Sequence, residues 1–134
     1  MSHELFWLVM TTVMTGLMWV PYILDRVIVR GLAATLANPS PADKAQSPWA
    51  RRLMAAHLNA VENLVIFAPL VLATQDLNVN VATPITTFAC QLYFWSRLAH
   101  VIVYTLGIPV LRTVAFVGGF AAQVMLALAL FKLA

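Results

Sequence analysis

Charge is what this sequence holds least of. Among its 134 residues only 10% are Asp, Glu, Lys or Arg, where soluble domains carry about a quarter. With 62% hydrophobic residues, the mean hydropathy reaches +0.86, which excludes an ordinary soluble domain and puts the chain in the membrane class. Cysteine is almost missing. Cys90 stands alone, which excludes an internal disulfide and any cysteine-rich metal site. The three histidines have no metal-ligand spacing, so no metal is expected. Acidic residues are outnumbered five to eight, but a net charge of +3 is too small and too scattered for a nucleic-acid surface. There is no internal repeat and no low-complexity segment. The short alternating segments of a membrane barrel are missing too, and the apolar runs are continuous.

What is there suits an all-α integral membrane protein of one domain. A crossing needs about 20 apolar residues, because a helix rises about 1.5 Å per residue across roughly 30 Å of hydrocarbon. The chain holds four such crossings in up-down order. Helix 1 is expected over about 4–36, helix 2 over 49–74, helix 3 over 84–106 and helix 4 over 109–132. The segment 37–48, with three prolines, is a polar loop. Gly107 and Pro109 separate the last two helices. The uncharged run from Leu5 to Leu24 is too long for a signal-peptide core and lacks a small-residue cleavage site, so it reads as a mature span. Arg26, Arg30, Lys44, Arg51, Arg52 and Arg112 flank loops 1 and 3. The other side has the N-terminus, the Asp76 turn and Lys132. Loops 1 and 3 are therefore expected in the cytoplasm and both termini opposite.

Inside the spans stand residues that apolar helices do not need. Glu62, Arg97 and Arg112 each cost about 2.5–3.5 kcal/mol near a span centre. Such residues usually face a bundle interior or a cavity and mark function. Asn59 and Glu62 are three apart on one helix face, with Arg52 two turns before Asn59. Arg97, His100 and Tyr104 form a similar stripe on helix 3. Arg112 opens helix 4 and Arg30 lies near the end of helix 1, so four helices bring polar groups to one level. Blander readings stand beside this. Arg30, Arg51 and Arg52 also suit interfacial anchors, Glu62 and Arg97 suit a structural ion pair, and His100 alone suits a satisfied core histidine. Tyr93 and Trp95 read as packing aromatics and Cys90 as inert. Gly118 and Gly119, with Ala115 and Ala122, form a small-residue face for close helix approach. An excess of arginine over carboxylate suits a small zwitterionic acid, because the guanidinium fork matches a carboxylate and Glu62 can hold an ammonium.

Three stretches carry a resemblance. HLNAVEN with the following FAPLVL resembles the second-helix motif of the membrane-associated proteins in eicosanoid and glutathione metabolism (MAPEG), an Arg-Ala-His-x-Asn-x-x-Glu pattern leading into a Phe. RLAHVIVYTLGIPVLRTVAF resembles that family's helix 3 to helix 4 segment, with Arg97, His100, Tyr104, Arg112 and Thr113 in the matching places. RGLAATLANP resembles the end of its helix 1. The family includes microsomal glutathione transferases and microsomal prostaglandin E synthase. The resemblance covers about residues 8 to 130 and is specific as a combination.

The resemblance implies a homotrimer of four-helix subunits with glutathione bound between neighbours near the cytoplasmic face. It assigns Arg30, Asn59, Glu62, Arg97, His100, Tyr104 and Thr113 to the glutathione site and Arg112 to stabilising the thiolate. His57 and Asn59 then belong to the helix 2 wall, with Asn63 beside them. One departure stands out. Ala55 occupies the place of the family arginine two residues before the histidine, and Arg52, three residues earlier, is its candidate substitute. The expected function is a glutathione-dependent transferase or peroxidase, acting on a lipophilic electrophile or hydroperoxide from the membrane. Two competitors remain. A non-catalytic lipid binder of the same fold is favoured by Ala55. A proton-coupled transporter using Glu62 is disfavoured by the arginines at the same level.

Overall fold

A computed structural model of the chain describes residues 1–75 and 83–131, and every regular element among them is a helix. Asp76 and Lys132, used above for orientation, lie outside the described residues. Helix α1, His3–Leu17, begins at Ser2, whose Oγ accepts a hydrogen bond from the Leu5 N–H at 3.2 Å. Thr11 and Thr12 turn their hydroxyls back onto the carbonyls of Trp7 and Leu8 at 2.8 Å, which satisfies them within an apolar helix.

The single helix expected over 4–36 is divided in three. Met18 interrupts it, and α2, Trp19–Arg30, follows at once. Pro21 accounts for the break: it has no N–H for the preceding turn and its ring crowds the carbonyl four residues back. Gly31, at φ +83°, then ends α2 in a conformation that side chains resist. The five-residue α3, Leu32–Leu36, packs against α2 and keeps Leu32 and Leu36 exposed.

The polar loop that follows folds back on α2. Arg30 pairs with Asp43 at 3.1 Å and donates to the Lys44 carbonyl at 2.7 Å. Gln46 donates to the Tyr22 carbonyl, and the Ser47 N–H donates to Asp25. Helix α4, Pro48–Ala73, opens with its proline where no N–H is needed and starts one residue before the expected position. Helix α5, Pro84–Leu106, is capped by reciprocal bonds between Thr83 and Thr86 and ends at Gly107, φ +82°. Helix α6 is Pro109–Phe131.

Helix α5 is the centre of the bundle. It packs against α1, α4 and, most closely, α6. The main core joins Leu8, Phe67, Val71, Ala89, Cys90, Tyr93, Ala122 and Leu126, with Phe67 stacked on Tyr93 at 3.7 Å. A smaller core of Met18, Leu53, Ala56 and Ala60 closes the other end. Glu4 has no role in the sequence reading, yet it is only 2% exposed and accepts hydroxyl hydrogen bonds from Thr86 at 2.8 Å and Thr87 at 2.7 Å. It bolts the first turn of α1 to the first turn of α5, where two helix N-termini favour a carboxylate.

Three helical runs are long and apolar enough to cross a membrane: His3–Arg30, Pro48–Ala73 and Pro109–Phe131. Their outer faces present Val13, Leu24, Val65, Ile66 and Phe120 to the surroundings. Helix α5 is not among them. It spends Thr86, Tyr93, Arg97 and His100 on the bundle interior, which lowers its average hydropathy.

Candidate functional site

The stripe on α5 turns inward as its spacing requires. Arg97 is 1% exposed. Its guanidinium donates to the Asn59 side-chain oxygen at 3.2 Å and to the Phe116 carbonyl at 3.1 Å. The rings of Tyr93 and Phe116 lie on either hand, with centroids 5.3 and 5.2 Å from Cζ. Gly119 makes the space: a Cβ there would meet Nη2 and stand 2.7 Å from Cζ. The glycine that reads in sequence as a helix-packing residue is therefore also the seat of a buried cation.

A chain of amides supports this seat. Gln123 donates to the Asn63 carbonyl at 3.0 Å, and Asn63 donates to the Asn59 carbonyl at 2.8 Å. Gln123 gave no signal in the sequence beyond being a polar residue in the most apolar helix. An ion pair between Glu62 and Arg97 is not formed. Glu62 is exposed, and Arg97 takes Asn59 and a backbone carbonyl instead.

One turn and two turns beyond Arg97, His100 and Tyr104 reach the surface of a cleft between α4, α5 and α6. Its lining is Asn59, His100, Tyr104, Arg112, Thr113 and Phe116, and its volume is about 210 Å³. The Arg112 guanidinium lies 4.5 Å over the Tyr104 ring, an arrangement that fixes the charge without neutralising it. The His100 ring meets Tyr104 edge to face at 5.4 Å and is 3% exposed. Thr113 donates to the Pro109 carbonyl at 3.2 Å. Five of the nine residues singled out from the sequence thus share one small cleft, with Arg97 buried directly behind it.

The other three lie elsewhere on the chain. Arg30 is engaged with Asp43 and the Lys44 carbonyl. Arg52 donates to the Thr105 carbonyl at 2.8 Å and lies over Gly107, where it caps the last turn of α5. Glu62 faces outward on α4. His57 turns toward α2 and shares a 3.0 Å hydrogen bond with the Tyr22 hydroxyl. Both line a separate groove of about 410 Å³ with Met54, Ala55, Leu58 and Val61.

The model of the MAPEG family matches residues 5–132, nearly the whole chain. The chain belongs to the MAPEG family. No curated protein matches it. As a MAPEG protein it is a membrane protein of the glutathione and eicosanoid class, which accounts for the apolar outer faces of its helices. Glutathione is the co-substrate associated with MAPEG proteins. The cleft is chemically fit for one end of such a molecule. It offers an always-charged donor in Arg112, an amide in Asn59 and an imidazole in His100.

Proposed function

We propose that this MAPEG protein is a glutathione-dependent membrane transferase that also reduces lipid hydroperoxides. The observation that carries the reading is the Arg112 guanidinium, which has no acidic partner among the described residues and is stacked on Tyr104 at the edge of a cleft shared with Asn59, His100 and Thr113. A thiol of pKa about 8.5 is mostly protonated at neutral pH, and a neighbouring cation favours the thiolate. Arg112 supplies that charge, and an electrophile dissolved in the lipid meets the sulfur at the cleft mouth. Arg97 holds Asn59 and the α6 backbone in place behind it.

The active form is a homotrimer of subunits that each cross the membrane four times, with glutathione between neighbours. Two features support this. A cleft of about 210 Å³ is smaller than the roughly 300 Å³ at which ligand pockets begin, so the tripeptide needs further walls. Glu62 is exposed on a spanning helix, and a carboxylate left to lipid costs about 2.5–3.5 kcal/mol; a second copy covers it and brings it to the ligand. Helix α5, at 23 residues, is long enough to cross when its polar stripe faces inward. Loops 1 and 3 face the cytoplasm, where glutathione enters. Arg30 and Arg52 lie at this end and take part only if the ligand draws them from their present partners.

The test is turnover of a chlorodinitrobenzene and of a lipid hydroperoxide by the detergent-purified protein. Arg112→Ala abolishes both while the thermal midpoint stays within a degree or two, and Arg112→Lys restores a part. Full activity in Arg112→Ala contradicts the reading. A second reading, a lipid binder without glutathione chemistry, is favoured by the groove beside Ala55, whose lining is mostly apolar. It is the one left standing if no thiol-dependent activity is found.

A further inference from the structure

If Arg112 stabilises a thiolate, the thiol proton must go somewhere, and the cleft offers few places. Arginine has no acceptor. The Asn59 oxygen already accepts from Arg97 and is not basic. The Thr113 hydroxyl is a very weak base, and Phe116 has no polar atom. Tyr104 as a phenol is a donor before it is a base. The imidazole of His100 is the one Brønsted base on the lining at neutral pH.

His100 is also placed for the task. It is 97% buried by its 3% exposure, yet it lines the cleft. Neither ring nitrogen has a hydrogen-bond partner among the described residues, and neither belongs to the polar atoms sealed inside the bundle. Its ring nitrogens are thus open to a donor that enters the cleft. The imidazole meets the Tyr104 ring edge to face at 5.4 Å and has the Phe116 ring 6.3 Å away. The charged groups facing it are Arg97 from its own helix and Arg112 from α6, both cations, so the ring accepts a proton only while the thiolate it leaves behind stands beside it. Tyr104 is the neighbouring phenol, and α4 contributes only the Asn59 amide.

We propose that His100 is the general base of the reaction: its free ring nitrogen takes the proton from the glutathione thiol while Arg112 holds the sulfur. This rests on the glutathione reading above. The S–H bond breaks and its proton passes to the imidazole nitrogen. The sulfur lone pair forms the new S–C bond on a chloronitroarene, and the C–Cl bond breaks with its electron pair on chloride. The imidazolium then returns its proton to solvent, so the balance is thiol plus aryl chloride giving thioether, chloride and a proton. The division of labour is between an arginine that never titrates and a histidine that does.

His100→Gln and His100→Ala test this in the full-length protein, with glutathione and a chlorodinitrobenzene as probes. Calorimetric affinity for glutathione is expected to change less than about fivefold in His100→Gln. Its kcat is expected to fall roughly 100-fold or more at neutral pH, the usual worth of a positioned base. Two readouts separate a base from a merely structural residue. The kcat of His100→Gln climbs with pH until the thiol ionises unaided, closing most of the gap near pH ~9. Added imidazole restores turnover in His100→Ala. Equal kcat and an unchanged pH profile in both variants overturn the proposal. So does a pH-independent loss that imidazole does not rescue. A wild-type protein that binds no glutathione fails earlier and differently, because it removes the enzyme reading itself.

Discussion

Gly119→Ala adds one carbon where the Arg97 guanidinium lies. That carbon would meet Nη2 and stand 2.5 Å from Nε and 2.7 Å from Cζ, well inside van der Waals contact. The guanidinium has no room to retreat, since the Tyr93 and Phe116 rings flank it at 5.3 and 5.2 Å and it is 1% exposed. Either α6 moves off α5, or Arg97 leaves Asn59 and the Phe116 carbonyl. Overpacking of this kind costs about 1–3 kcal/mol. A buried charged donor stripped of its acceptors adds about 1–3 kcal/mol. If both apply, the expected loss is roughly 2–6 kcal/mol. At about 2–4 °C per kcal/mol, the thermal midpoint in detergent falls by roughly 5 °C or more. Gly118→Ala is the control. Its Cβ meets only the Ser96 side chain, with Oγ at 2.7 Å, and a hydroxyl can rotate away, so the fall is smaller. Combining Gly119→Ala with Arg97→Gln shortens the obstructing side chain, so the two losses are less than additive. A Gly119→Ala protein as stable as wild type, or strict additivity, refutes the account of the seat.

Other perturbations follow from the same contacts. Glu4→Ala leaves the Thr86 and Thr87 hydroxyls without their shared acceptor; it lowers the thermal midpoint by an amount equivalent to about 1–3 kcal/mol, and Glu4→Gln by less. Asp43→Ala frees Arg30 from a partly buried pair worth about 0.2–1 kcal/mol. Limited trypsin digestion after Lys44 then speeds up, and wild type approaches the same rate in high salt. Gln123→Leu removes the donor to the Asn63 carbonyl and lowers the midpoint, while Gln123→Glu, which cannot donate when ionised, does so more strongly.

Much of the site is readable from spacing. Arg97, His100 and Tyr104 recur at three and four residues, so a helix must show them to one neighbour, and Asn59 sits where α4 meets that stripe. The limits are equally physical. Arg30 has the register of a cleft residue, but the proline-rich loop turns back and offers it Asp43, a contact 13 residues away that no periodicity reports. Arg52 is drawn to the carbonyls that α5 leaves at its end. Glu4 finds its partners 82 and 83 residues later, and its place at the start of an apolar run hides it. The break at Met18 has its signal in Pro21, a helix breaker inside an otherwise continuous apolar run. Glu62 falls about 60° to one side of half-buried Asn59, while Asn63 falls about 40° to the other side, toward the core, so Asn63 is buried and Glu62 is exposed.

The central claim is that the cleft at Arg112 takes glutathione. Titration calorimetry of reduced glutathione into the detergent-purified protein tests it most directly, with Asn59→Ala and Arg112→Ala alongside. The account predicts saturable binding at millimolar concentration or tighter in the wild type, weakened in both variants. No saturable heat at several millimolar glutathione contradicts it.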